Sequence, residues 1–113
     1  MNNRPAAFYI ANSSDYQAVA VLFTDPTITY LFARLLEARG VDPKVARRLE
    51  EVQEGTKIIT EPRYFARLAP EVRKRCLLVC SKETDDTDVI CLSQPLTEDK
   101  VETALARLLA VQE

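Results

Sequence analysis

The chain has 113 residues, of which 47% are hydrophobic and 28% are charged, and its formal net charge at pH 7 is −2. This length and balance predict one globular domain over residues 1–113 and exclude disorder throughout the chain. The absence of a basic excess argues against a protein that coats nucleic acid, and no apolar run approaches the ~20 residues of a membrane span.

The N-terminal part of the chain predicts one or two strands. Residues 6–11 (AAFYIA) and 18–23 (AVAVLF) are short apolar runs typical of buried strands. They pair as a hairpin, or only the second belongs to the sheet. The first run is too short, and its lead too weakly basic, for a signal peptide. We therefore expect a cytoplasmic protein without a membrane segment.

Two helices are predicted next. Asp25 can cap free N–H groups and Pro26 fits the first helical position. Apolar residues follow at helical spacing until Gly40, a usual helix stop. A second Asp-Pro pair repeats this pattern shortly afterwards and predicts a second helix over 43–54, ended by Gly55.

The second half of the chain predicts three strands and two helices. The strands are TKIIT (56–60), CLLVCS (76–81) and VICLS (89–93), each dense in apolar residues. Pro62 begins a short helix between the first two strands. Thr97 is a good N-cap for the last helix, which is acidic in its first turn and apolar along one face.

The loop between the last two strands decides the predicted topology. It is KETDDTD (82–88), only seven residues long, whereas a parallel crossover connection needs a dozen or more. The last two strands are therefore predicted to form an antiparallel hairpin. The expected fold is an α/β domain with a mixed four- or five-stranded sheet flanked by helices.

Few residues of the sequence are suited to catalysis or to metal binding. The chain has no histidine, which excludes Ser-His-Asp and Cys-His mechanisms built from this chain alone. Cys76, Cys80 and Cys91 lie in apolar strands and are interpreted as core residues, since a zinc site needs four ligands. The acidic run at 85–88 is interpreted as a solvated loop. We expect no catalytic residue, no cofactor and no metal.

A basic cluster is the one candidate binding site from composition. The arginine guanidinium can form bidentate hydrogen bonds with a phosphate or a carboxylate, and an adjacent aromatic ring can stack on a nucleic-acid base. This would make a face that binds anions, nucleotides or nucleic acid. The alternative is a solvated face whose charges pair with nearby glutamates. The candidate residues are Arg63, Tyr64, Arg67, Arg73, Lys74 and Arg75.

Two segments resemble parts of bacterial response-regulator receiver domains. The first strand and helix of such a domain are similar to VLFTDPTITYLFARLLEARG, and the last strand and helix are similar to VICLSQPLTEDKVETALARLLA. The resemblance implies a receiver-like topology and a phosphoacceptor aspartate after the third strand. It also implies an acidic pair after the first strand, a hydroxyl after the fourth and a lysine before the proline.

The functional positions of a receiver are degenerate in this chain. Asp25 alone matches the acidic pair, and Ser81 matches the hydroxyl position. Thr60 and Glu61 stand where the phosphoacceptor is expected, and Gln94 replaces the lysine that would meet the phosphoryl group. The resemblance therefore implies a pseudo-receiver that does not accept phosphate.

A different segment, IITEPRYFARLAPEVRKR, is similar to a stretch of KaiB-type clock proteins, which have a thioredoxin-like fold. That similarity implies a thioredoxin-like topology instead, and the two topologies remain open at this point. Under either one, we expect a non-catalytic regulatory or adaptor domain that binds another protein or a second copy of itself. The alternative is an anion- or nucleic-acid-binding protein that uses the basic cluster. The stretch from Val89 to Ala110 and the basic cluster are the expected contact surfaces.

Overall fold

The computed structural model describes residues 18–53, 55–81 and 89–111. The predicted strand at 6–11 and the predicted acidic loop tip at 85–88 lie outside these residues. Within the described chain no helix is both long enough and apolar enough to cross a membrane.

Five short strands form one sheet whose neighbours all run parallel. Their order across the sheet is β2-β1-β3-β4-β5. This confirms an α/β fold with a five-stranded sheet flanked by helices. The order is that of doubly wound flavodoxin-like sheets, which include receiver domains. The strands are β1 (Ala18–Leu22), β2 (Asp42–Ala46), β3 (Lys57–Thr60), β4 (Cys76–Cys80) and β5 (Ile90–Ser93).

The two long helices cover one face of the sheet. These are α1 (Pro26–Ala38) and α4 (Glu98–Ala110). Their buried residues, including Phe32 and Leu105, join alternate residues of the strands in the main core. Phe32 stacks on Phe23, with ring centroids 5.6 Å apart. The strand side chains that point to this face therefore pack against the apolar sides of α1 and α4.

Shorter elements cover the other face. They are a 3-10 turn (Leu49–Glu51), α2 (Pro62–Phe65) and α3 (Pro70–Arg73). Around them Leu68 and neighbouring apolar side chains pack on Ala20, Ile58 and Cys76 in a smaller core. With helices on both faces, the parallel strands are shielded from water as such sheets require.

The predicted caps of α1 are confirmed. The Asp25 carboxylate accepts a hydrogen bond from the Thr27 N–H at 2.8 Å. At the other end Gly40 has a φ of 75°, a left-handed conformation that glycine adopts without strain. The Gly40 N–H donates to the Glu37 carbonyl and the Val41 N–H to the Leu36 carbonyl, both at 3.0 Å. This is the Schellman arrangement that ends many helices.

The helix predicted over 43–54 is wrong. Residues Asp42–Ala46 form the edge strand β2, which pairs with β1 in the register Ala18↔Asp42. Proline is compatible with an edge strand, because one side of that strand has no ladder to join. As a strand, this segment forms backbone hydrogen bonds with the edge of β1. A short helix with a narrow apolar stripe would be less stable than this pairing. Only the 3-10 turn at Leu49–Glu51 is helical.

The antiparallel hairpin at residues 76–93 is also wrong, and the sheet is parallel rather than mixed. β4 and β5 run in the same direction, with Leu78 opposite Cys91 and Cys80 opposite Ser93. The connection from Cys80 to Ile90 is shorter than the dozen residues usual for a parallel crossover, so loop length did not predict the direction of β5. The parallel direction brings the carboxyl ends of both strands to one edge.

Candidate functional site

The carboxyl edge of the sheet is the expected location of a ligand-binding site in this fold. In open α/β sheets, ligands bind outside the carboxyl ends of the strands, where the strand order reverses. Here that point lies between β1 and β3. The Glu61 carboxylate crosses it, accepting a hydrogen bond from the Thr24 N–H at 2.6 Å and one from the Thr24 hydroxyl at 3.4 Å. Glu61 thus ties the ends of the two strands together.

A buried hydroxyl reinforces the same junction. The Thr60 side chain is fully buried and donates to the Leu22 carbonyl at 2.6 Å. Thr60 and Leu22 are direct register partners of β3 and β1. A threonine that satisfies a backbone carbonyl in this way stabilises the strand ends. It has no proton left to offer a ligand.

The three degenerate receiver positions all follow strands at this edge. Asp25 follows β1, but its carboxylate oxygen caps α1. Ser81 is exposed directly after β4. Gln94 follows β5, is exposed, and donates its backbone N–H to the Cys80 carbonyl at 3.1 Å. The bond from Gln94 to Pro95 is cis. The topology therefore places these three residues at one edge of the sheet.

A lysine absent from the sequence interpretation also reaches this edge. The Lys100 ammonium, on α4, donates to the Ser93 carbonyl at 3.3 Å and to the Pro95 carbonyl at 3.2 Å. It fixes the turn between β5 and α4. In the sequence, Lys100 is one lysine in the otherwise acidic first turn of a predicted helix. That pattern does not reveal a contact between the lysine and the preceding loop.

The members of the predicted basic cluster differ in exposure and in contacts. Arg73 turns inward: its guanidinium lies 5.0 Å from the centre of the Phe65 ring and donates to the Ala66 carbonyl at 3.1 Å. It therefore holds α3 against α2. Arg63, Arg67 and Lys74 are exposed.

The remaining members are half-buried. Tyr64 lies on α2, and Arg75 immediately precedes β4. The Nε atoms of Arg73 and Arg75 are buried and make no hydrogen bond within the described residues.

The charges of the basic cluster are not balanced by ion pairs in the described part of the chain. The ion pairs found there join Arg39 to Glu102, Lys44 to Asp42 and Arg48 to Glu51. None involves a member of the cluster. The expected pairing with neighbouring glutamates is therefore not seen, and Glu61 binds Thr24 instead.

An apolar groove lies between α1 and α4. Its volume is about 560 Å³. Leu31 and Leu35 of α1 form one wall, and Leu96, Val101 and Leu105 form the other. Leu31 is 42% exposed, unusual for a large apolar side chain in this fold. The wall formed by Leu96, Val101 and Leu105 lies in the stretch from Val89 to Ala110 that the sequence indicated as a contact surface, whereas the α1 wall lies outside it.

The rim of this groove is charged. Arg39, at the end of α1, pairs with Glu102 of α4 at 2.6 Å. Glu98 also lines the groove from α4. On α1, Arg34 donates to the Tyr30 hydroxyl at 2.7 Å and its guanidinium lies 5.5 Å from that ring. Among the residues that line the groove, the charged side chain at the end of α1 is Arg39, and those of α4 are Glu98 and Glu102.

Comparisons with known proteins add no family. No protein-family model matches the chain, and no curated protein is significantly similar to it. Within the described residues no group of three or more cysteine, aspartate or glutamate side chains could hold a metal ion.

Proposed function

We propose that this domain is a non-catalytic regulatory or adaptor module that acts by binding protein, in the first place a second copy of itself. The contact face is the one formed by α1 and α4. The observation that carries the proposal is the apolar groove between these helices, with Leu31 exposed beside it. A large apolar side chain exposed beside an apolar groove offers a partner both a projection and a recess to pack against.

The non-catalytic part of the proposal is supported by the carboxyl edge of the sheet. Glu61 binds the Thr24 backbone, Asp25 caps α1, and Lys100 binds two backbone carbonyls. Phosphoryl transfer needs carboxylates that hold magnesium and a cation that meets the phosphoryl group. These side chains are committed to backbone groups, which fits a pseudo-receiver that is not phosphorylated.

A second copy is the favoured partner because the face is self-complementary. A twofold arrangement places α1 of one copy against α4 of the other, since a closed dimer uses the same patch on both subunits. Arg39, which pairs with Glu102 of its own copy, would then lie near Glu98 of the other copy. Leu31 would enter the partner's groove. Opposite charges around an apolar centre set the register of such an interface.

Self-association can be tested by sedimentation equilibrium of the full chain. We expect the wild type to form dimers and Leu31→Asp to remain monomeric, because a buried carboxylate at the centre of the interface is unfavourable. Val45→Asp is the matched control: Val45 is 57% exposed on the edge strand β2 and does not line the groove. It should dimerise as the wild type does. A wild-type monomer at all concentrations, or equal effects of both variants, would refute self-association.

The absence of phosphoacceptor chemistry has its own test. The full chain is incubated with magnesium and a small-molecule acyl phosphate, and its intact mass is measured. We expect an unchanged mass. A stoichiometric gain of one phosphoryl group would overturn the non-catalytic interpretation, whatever the oligomeric state.

Anion binding is the second candidate, and one observation favours it. Arg63, Arg67 and Lys74 are exposed and have no acidic partner among the described residues. Binding of a polyanion such as heparin should weaken with added salt and fall in Arg63→Ala/Arg67→Ala. Arg73 is left unchanged, because it holds α2 and α3 together. Affinity that is unchanged in the double variant would exclude this face.

A further inference from the structure

Two cysteines that the sequence analysis assigned to the core lie side by side. Cys80 is the last residue of β4 and Cys91 the second residue of β5. Their Sγ atoms are 2.8 Å apart. A disulfide has an S–S distance of about 2.05 Å, so the sulfurs need to approach by less than about 1 Å to bond. In the parallel register Cys91 lies opposite Leu78. Because Leu78 is two residues before Cys80, the side chains of Cys80 and Cys91 lie on the same face of the sheet.

The third cysteine occupies a different environment. Cys76 begins β4 on the same face, but it is fully buried beneath Leu68 and the side chains around it. Burial raises the pKa of the Cys76 thiol to about 12, although the nearby Arg73 charge opposes the rise. Cys80 and Cys91 are only half-buried. An oxidant in solution can therefore reach the pair far more easily than it can reach Cys76.

We propose that Cys80 and Cys91 are a redox modification site that forms a reversible intramolecular disulfide. With hydrogen peroxide as oxidant, one thiolate attacks a peroxide oxygen and becomes a sulfenic acid as the O–O bond breaks. The second thiolate attacks that sulfur and displaces the hydroxyl group, which leaves as water. Two thiols and one peroxide give one disulfide and two waters. A dithiol reductant reverses the step by thiol–disulfide exchange.

The bond would act on the carboxyl edge of the sheet. Cys80 immediately precedes Ser81, and its carbonyl accepts the hydrogen bond from the Gln94 N–H. A disulfide would join the carboxyl end of β4 covalently to β5. It would also close the chain between residues 80 and 91, which restricts the unfolded state. We expect oxidation to raise Tm by roughly 5–10 °C.

The test uses the full reduced chain, freed of reductant and treated with hydrogen peroxide. The expected product is a monomer whose intact mass is lower by two hydrogen atoms. Fragmentation should place the link between Cys80 and Cys91. Cys76 should remain a thiol that alkylating reagents modify only after unfolding. Dithiothreitol should restore the original mass and the original Tm.

Single-cysteine variants provide the controls. Cys80→Ser and Cys91→Ser should each lose the two-hydrogen change and the rise in Tm, while their Tm under reducing conditions shows that they fold. Cys76→Ala should retain both changes. Added oxygen atoms without a link, a link that involves Cys76, or a bond between two copies would each overturn the proposal.

Discussion

Alkaline pH should weaken this fold through Cys76, whose thiol is fully buried at the start of β4. Burial raises its pKa from 9.0 to about 12. Above pH 9 the thiol ionises in the unfolded chain but stays neutral in the folded one, so rising pH favours unfolding. The stability that this group contributes is complete below pH 9 and is lost as the pH rises toward 12.

The size of the effect follows from the pKa difference. Each unit corresponds to about 1.4 kcal/mol, so the full difference between 9.0 and about 12 amounts to about 4 kcal/mol. Between pH 8 and pH 10.5 only the part above pH 9 is lost, which is about 2 kcal/mol. This is a large share of the 5–15 kcal/mol that stabilises a typical domain.

Urea denaturation of the reduced wild type and of Cys76→Ala measures this loss. The stability difference between them at pH 8 contains the cavity that alanine leaves. Its change with pH isolates the ionisation, because the lysines, tyrosines and other cysteines are common to both chains. We expect the wild type to lose about 2 kcal/mol more than Cys76→Ala by pH 10.5. A difference that stays constant from pH 8 to pH 10.5 would refute the buried-thiol argument.

Gly40, Thr60 and Asp25 each support the fold, and substitutions of each test that role. Gly40→Ala should cost about 1 kcal/mol because only its positive φ opposes a side chain, and Gly40→Asn should cost less; urea denaturation gives both values. Thr60→Val should cost about 1 kcal/mol by removing the hydrogen bond to the Leu22 carbonyl, whereas exposed Thr103→Val should be nearly neutral in the same assay. Asp25→Ala should lower Tm through loss of a cap worth about 1 kcal/mol, and Asp25→Asn should retain most of it; equal losses would contradict the cap.

Local signals predicted most elements of this fold correctly. The caps Asp25 and Gly40 bound α1, and Thr97 caps α4, accepting a hydrogen bond from the Lys100 N–H at 3.2 Å. Such signals lie within a few residues of the helix ends, so the sequence displays them directly. The apolar runs that became β1, β3, β4 and β5 were equally visible.

The errors arose where distant residues decide the structure. The Asp-Pro pair at the start of β2 gives a helix signal, but pairing with β1 overrides it. The direction of β5 depends on how it joins β4, which no local pattern records. Strand pairing is a tertiary property that single-sequence patterns do not contain.

The candidate sites show the same division. The resemblance to receiver domains led to Asp25, Ser81 and Gln94, which all follow strands at one edge. It could not show that Glu61 reaches Thr24, because 37 residues separate them. Charge density alone marked the basic cluster and missed that Arg73 is held internally by Phe65 and Ala66. Contacts across the sheet and between helices have to be seen in three dimensions.

The proposed function depends most directly on where two copies of this chain touch. Amide chemical shifts measured by NMR over a dilution series of the wild type locate that contact. We predict concentration-dependent shifts confined to α1 from Leu31 to Arg39 and to α4 with its preceding turn, from Leu96 to Leu105. The same series for Leu31→Asp should show none. Shifts that instead cluster on β2 or around Arg63 and Arg67, or shifts that do not change with concentration, would contradict the account.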